Sequence, residues 1–214
     1  MRRAGVSLAA AAALLLTPSA VRPQPGFAYL GGAHWSVLPV VIVDATADAR
    51  VLEALRAFKA RWNAMRDDGG GSVLPPVDVV TAPADRCRPG LQEAAGAGGQ
   101  VLVCLDATLG SAGVGGPWRV DGDGHTRLGL IKLRPATLSW VSCRLHTAVA
   151  HEMGHVMGLG HTDPGAGASS LMAAGPTPYR GACPAWFDAR DQAALRALYE
   201  GHAARCAVAG HKAI

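Results

Sequence analysis

Residues 151–161 read HEMGHVMGLGH, and no other stretch constrains the fold of this chain as tightly. On an α-helix, His151 and His155 are four positions apart, so they stack on one face where both imidazoles reach a single ion. Gly158 can take the positive φ that ends a helix, which lets the chain turn sharply and bring His161 back to the same point from outside it. Three neutral imidazoles suit Zn²⁺ and leave its fourth tetrahedral position open for water. An open position separates a catalytic zinc from a structural one. Glu152 directly follows the first ligand and is not needed to hold the metal. Its carboxylate is expected beside the open position, where it can take a proton from water and later pass it to a leaving amine. With zinc polarising the carbonyl and stabilising the oxyanion, this constellation implies peptide hydrolysis without a covalent intermediate.

The complete pattern H-E-x-x-H-x-x-G-x-x-H resembles that of the metzincin clan of zinc peptidases, and within it the matrixin-type catalytic domains. The resemblance implies a methionine-containing turn beneath the ligands. Ser169-Ser170-Leu171-Met172 follows His161 at a suitable distance, so Met172 is assigned to that turn, with its thioether packing rather than coordinating. Residues 189–201, ARDQAALRALYEG, resemble the matrixin closing helix, which ends in Leu-Tyr-Gly; here Glu200 intervenes before Gly201. The likeness spans about residues 128–201. It implies a single α+β zincin domain with a small mixed sheet, an active-site helix and a C-terminal helix. It also implies that residues 128–133 form the edge strand that pairs antiparallel with an extended polypeptide substrate.

The chain departs from the matrixin pattern in three places. Met172 is followed by Ala-Ala-Gly rather than x-Pro, which leaves the wall of a specificity pocket unassigned. Tyr179 could line that wall or donate to the oxyanion, and reads first as a structural tyrosine. The residues ahead of the domain are too few for a matrixin propeptide with its cysteine switch, and Cys87, in DRCRPG, reads as a disulfide partner inside the domain.

Residues 1–20 carry Arg2 and Arg3, an apolar run over 9–16 and then Thr-Pro-Ser-Ala. This is the layout of a secretory signal peptide cleaved after Ala20, since the apolar run is far short of the ~20 residues of a spanning helix. The expected organisation is therefore a signal over 1–20, an extended lead-in without periodic pattern over 21–35 and one catalytic domain over 36–214. A secreted monomer is expected, without membrane attachment after cleavage. The formal charge of +4 includes the two signal arginines, and no block of like charges remains to bind nucleic acid. In an exported chain, Cys87, Cys104, Cys143, Cys183 and Cys206 suggest two disulfides and one thiol, with Cys87–Cys104 and Cys183–Cys206 as the pairings that close short loops.

Apolar and β-branched runs predict strands over 37–43, 77–80, 101–105 and 128–133. Leu52, Leu55, Phe58 and Trp62 at helical spacing predict a helix capped by Thr46 or Asp48. A second helix opens at Ser139 or Ser142 and carries the histidines, and a third runs over 188–205 with Ala194, Leu195, Leu198 and Tyr199 on one face. Residues 106–127, rich in Gly and Asp, read as a surface loop. Within it, Asp121-Gly122-Asp123-Gly124 has oxygen ligands at alternate positions suited to Ca²⁺, but lacks the later glutamate of an EF-hand and reads as a plain turn. The other functional reading is a non-catalytic zinc module that binds peptides or a partner without turnover. Glu152 argues against it, because a binder has no use for that carboxylate.

Overall fold

The computed structural model describes residues 27–36, 39–67, 73–88, 99–162, 170–173 and 185–208. The signal segment, Tyr179 and Cys183 lie outside the described residues. Within them the fold is mixed α/β, with three α-helices against a parallel-dominated sheet.

The sheet is built from the apolar runs. Strand β1 covers Phe27–Tyr29, β2 His34–Trp35 and β3 Val40–Asp44, followed by helix α1 over Ala49–Asp67 and strand β4 over Val77–Thr81. Strands β3 and β4 are parallel neighbours, so α1 is the crossover that such a pair requires. Strand β5, Gln100–Leu105, runs parallel to β3 on its other side. Strand β6, Gly113–Val120, and strand β7, His125–Leu133, form an antiparallel pair, with β7 also parallel to β5. Helix α2 follows over Ser142–Val156, then β8 over Leu159–Thr162 and helix α3 over Ala189–Val208.

Period-two alternation divides the strand side chains between two cores. Val40, Ile42, Val101, Val103, Ile131 and Leu133 face a large core shared with α1, α2 and α3. Val43, Leu102, Cys104 and Leu130 face the other way and form a smaller cluster with Ala45. Because both faces are covered, the central strands read as unbroken apolar runs. The Cys87–Cys104 disulfide, 17 residues apart, ties the 3₁₀ turn at Ala84–Cys87 to β5, as expected. Cys143 is disulfide-bonded too. The expected Cys183–Cys206 bridge lies outside the described residues.

Hydrogen bonds lock the helices to the sheet. Asp48 caps α1 by accepting the Arg50 N–H at 2.9 Å, while the Thr46 hydroxyl accepts the Asp48 N–H at 3.2 Å. The Trp62 indole, fully buried, donates to the Pro75 carbonyl at 2.8 Å, and Asn63 bonds both polar backbone groups of Val77 at 2.9 and 3.0 Å. At the C-terminal end of α2, where carbonyls lack helical partners, the Trp35 indole donates to Val156 at 3.0 Å and the Tyr199 hydroxyl to Met157 at 3.3 Å.

The structure decides one sequence expectation, refines a second and corrects a third. Of the two serines offered as the start of the second helix, Ser139 lies in a 3₁₀ turn (Pro135–Ser139) and Ser142 opens α2, with Val141 at its N-cap. Where it is described, the extended lead-in supplies strands: β1 pairs antiparallel with β8 and β2 pairs parallel with β7. Most importantly, residues 128–133 are not an edge. β7 is flanked by β5 and by β6, and β6, which fell in the supposed surface loop, pairs with β7 alone among the described residues. The isolated strand pattern of β7 gave no sign of a further partner.

Gly129 of β7 is where the sheet meets α2. A Cβ there would lie 2.8 Å from Val156 Cγ1 and 3.1 Å from Trp35 Cζ2, closer than packed atoms tolerate. Gly129→Val is expected to lower stability by about 1–3 kcal/mol, measured as a drop in the urea unfolding midpoint. An unchanged midpoint would show that this contact has slack.

Candidate metal centre

His151 and His155 sit one turn apart on α2, and His161 sits on β8 after a turn through Gly158, whose φ is +102°. A side chain at 158 would be strained by that φ, and its Cβ would run into the Ala33 carbonyl oxygen. The reversal brings the three Nε2 atoms together, with separations of 3.1 Å (155 to 151), 3.2 Å (155 to 161) and 3.3 Å (161 to 151). All three histidines assigned from sequence therefore meet at one point.

The other ring nitrogens determine what meets there. His151 Nδ1 donates to the Leu171 carbonyl and His155 Nδ1 to the Leu159 carbonyl, each at 2.7 Å. In a neutral ring whose Nδ1 carries the proton, Nε2 presents a lone pair. The convergent nitrogens of His151 and His155 thus cannot satisfy each other by hydrogen bonding, and a cation suits the trio. Three nitrogens held tetrahedrally at about 2.0–2.1 Å from Zn²⁺ are spaced about 3.3 Å apart, close to the separations observed. The trio can hold a metal ion. Burial lowers the basicity of the two helical imidazoles, taking His155 down to about 4 and His151 below its usual value. Both are thereby kept in the neutral form that ligation requires.

Glu152 is buried beside them and lines the same cleft. Burial pushes its carboxyl up to about 7, against a smaller downward pull from the Gly115 N–H. The cleft, about 760 Å³, is floored by α2 at Arg144, Ala148, His151, Glu152 and His155 and walled by residues 111–115. Gly115 makes the wall possible, because any Cβ there would collide with the Glu152 backbone. Edge strand β6 therefore runs directly against the helix that carries the histidines.

Beneath the histidines lies the turn assigned from Met172. Met172 is fully buried, and its sulfur occupies the space where Gly154 lacks a side chain. Its carbonyl accepts the Thr162 N–H at 2.9 Å, joining the turn to the strand that carries His161. The turn is held in place by a residue that the sequence reading passed over. Asp191, fully buried in the first turn of α3, accepts the Ser170 hydroxyl at 2.7 Å, the Leu171 N–H at 2.9 Å and the Asp188 N–H at 3.1 Å. Asp188 in turn accepts the N–H groups of Arg190 and Asp191, both at 2.9 Å, completing a reciprocal cap. Burial raises the Asp191 pKa above its usual value, with the Ser170 bond opposing. The D-x-x-D spacing at the head of an apolar-faced helix was the available signal for the cap, but nothing local announced the bonds to Ser170 and Leu171.

Asp121, Asp123 and His125 lie close enough to share an ion. However, Asp121 already accepts the backbone N–H groups of Asp123 at 3.0 Å and His125 at 2.9 Å, and pairs with Arg127 at 2.7 Å. The chain matches no protein-family model, and no curated protein matches it significantly.

Leu171 links Asp191 to His151: its N–H binds the first and its carbonyl the second. Asp191→Ala is therefore expected to weaken zinc binding about tenfold and to lower stability by about 2–3 kcal/mol. Chelator competition and urea unfolding measure the two. Unaltered zinc affinity in a folded Asp191→Ala protein would disconnect the cap from the ligand.

Proposed function

We propose that this chain is a secreted zinc-dependent endopeptidase of metzincin type, most similar to matrixin catalytic domains. The observation that carries the reading is three convergent imidazole nitrogens beside a buried carboxylate, in a cleft walled by an edge strand. The eleven-residue motif and a buried methionine turn support the assignment to the clan. The export reading rests on the first 20 residues. It is compatible with the Cys87–Cys104 disulfide and with the absence, among the described residues, of any helix long and apolar enough to cross a membrane.

His151, His155 and His161 hold the zinc. When bound, zinc supplies a Lewis acid that makes water more acidic and polarises a carbonyl. The protein's own groups do the rest. An extended substrate pairs antiparallel with β6, which places its backbone over Glu152. Glu152 accepts a proton from the attacking water as oxygen bonds to the carbonyl carbon. It returns that proton to the departing nitrogen as the C–N bond breaks, leaving a carboxylate and an amine. A carboxyl whose pKa is raised by burial suits both halves of that transfer.

A non-catalytic zinc module would share the histidines but gain nothing from Glu152. With a denatured protein as substrate and zinc content measured in parallel, Glu152→Gln is expected to retain zinc and lose about 10²–10⁴-fold in cleavage rate. Equal rates in wild type and variant, or no cleavage by either, would favour the binding module. Chelation is expected to abolish cleavage and lower the melting temperature, with zinc restoring both. A melting temperature indifferent to zinc would remove the metal from the reading.

A further inference from the structure

The edge that β6 offers to an extended chain is already engaged in part by the protein's own groups. In an antiparallel pair, successive residues of a strand turn their backbone polar groups to opposite sides. The Ala112 carbonyl accepts the Arg134 N–H at 2.9 Å, so residue 112 faces β7. Val114 and Gly116, opposite Lys132 and Leu130, face β7 as well. Gly113 and Gly115 therefore turn their N–H and C=O groups outward. Two contacts agree with that assignment. Glu152 accepts the Gly115 N–H, and the Gly113 carbonyl accepts the Ser111 hydroxyl at 2.8 Å. Ser111 is exposed and lines the cleft beside Gly113.

The Ser111 hydroxyl thus stands where a bound peptide would place an amide. A chain paired antiparallel with β6 sets one of its N–H groups on the Gly113 carbonyl. Because the two chains run in opposite directions, the residue facing Gly113 follows the one facing Gly115 by two positions. Glu152 bonds Gly115, so the residue facing Gly113 falls on the C-terminal side of the bond cut beside that carboxylate. Ser111 reaches the carbonyl through one short side chain, and a change of rotamer takes its hydroxyl away. A substrate N–H then replaces it, one hydrogen bond for another. A substrate residue without an N–H, such as proline, leaves the hydroxyl in place and the carbonyl satisfied. Without Ser111 the same substrate would cover that carbonyl and leave it unpaired, which is costly.

We infer that Ser111 is a specificity-determining residue, an exchangeable cap on the Gly113 carbonyl that lets the cleft accept substrates with or without a backbone N–H at the position facing it. This rests on the peptidase reading, and the test separates the two. A hydroxy acid replaces the second, third or fourth residue after the scissile bond of a test peptide, so that an ester oxygen stands for its N–H. Wild type, Ser111→Ala and Ser111→Thr cut each ester and the all-amide peptide, with cleavage sites fixed by mass spectrometry. The quantity read is the ratio of kcat/KM for amide over ester, from which the fraction of active enzyme cancels. At one position Ser111→Ala is expected to raise that ratio about three- to tenfold, and Ser111→Thr to return it to the wild-type value. Cleavage with a ratio that Ser111→Ala leaves unchanged or lowers at all three positions overturns the cap and leaves the peptidase intact. Zinc-loaded Glu152→Gln protein, with and without Ser111→Ala, gives a second readout through the anisotropy of labelled amide and ester peptides. A gap in affinity that Ser111→Ala widens supports the cap even where no turnover is seen, and an unchanged gap, or no binding of either peptide, refutes it.

Discussion

The structure depends on holding three imidazole Nε2 atoms at one point, two of them presenting lone pairs, an arrangement with no internal means of stabilising itself. Lone pairs facing one another repel, and each must be fixed from behind. For His151 and His155 the fixing group is a backbone carbonyl, of Leu171 and Leu159 respectively. Neither carbonyl belongs to the helix that carries the histidines. One is on the turn ahead of α3 and the other on β8, so positioning the two rings requires both segments to be docked on α2. The closing helix is thus part of the metal centre. Through Asp191 it secures the turn whose Leu171 carbonyl orients His151, a chain of contacts that makes the centre as rigid as the core beneath it.

Close approach serves the same end. Met172 fills the place of an absent side chain at Gly154, and β6 passes Glu152 only because residue 115 has no Cβ. Packed backbone excludes water from the carboxylate, and that desolvation raises its pKa. The environment that raises the Glu152 pKa is therefore produced by the same contacts that bring an edge strand to the three histidines.

What was legible in the sequence followed the range over which each signal acts. The histidine triad is a local code: four residues of helix, one glycine and a short return fix the geometry, and the structure brings together every ligand so assigned. The faces of α1 and α3 and the central strands were equally readable, because amphipathic and β-branched patterns depend on burial alone. β6 was not. GVGGPWRV holds three glycines and a proline, a composition that argues against a strand. It forms one because β7 supplies hydrogen bonds along its length and α2 demands glycine beside it. β8, Leu159–Thr162, was hidden similarly, since its strand character comes from pairing with a lead-in that had no pattern of its own. Nothing local marks Asp191 for its bonds to Leu171 and Ser170, which lie 20 and 21 residues away.

The composition of β6 also bears on how an exposed edge can be kept safe. An uncovered strand invites pairing with any extended chain, and proteins blunt such edges with proline and with breaks in register. Here Pro117 stands opposite Gly129, and the register with β7 shifts twice beyond it, between Pro117 and Arg119 and between Arg119 and Val120. Proline has no N–H to give, so regular pairing from this edge is confined to residues 113–116. That short stretch runs past Glu152, with Gly115 against the helix backbone. The edge is thus open to an extended peptide over the segment where the carboxylate and the three imidazoles lie, and is closed to it beyond.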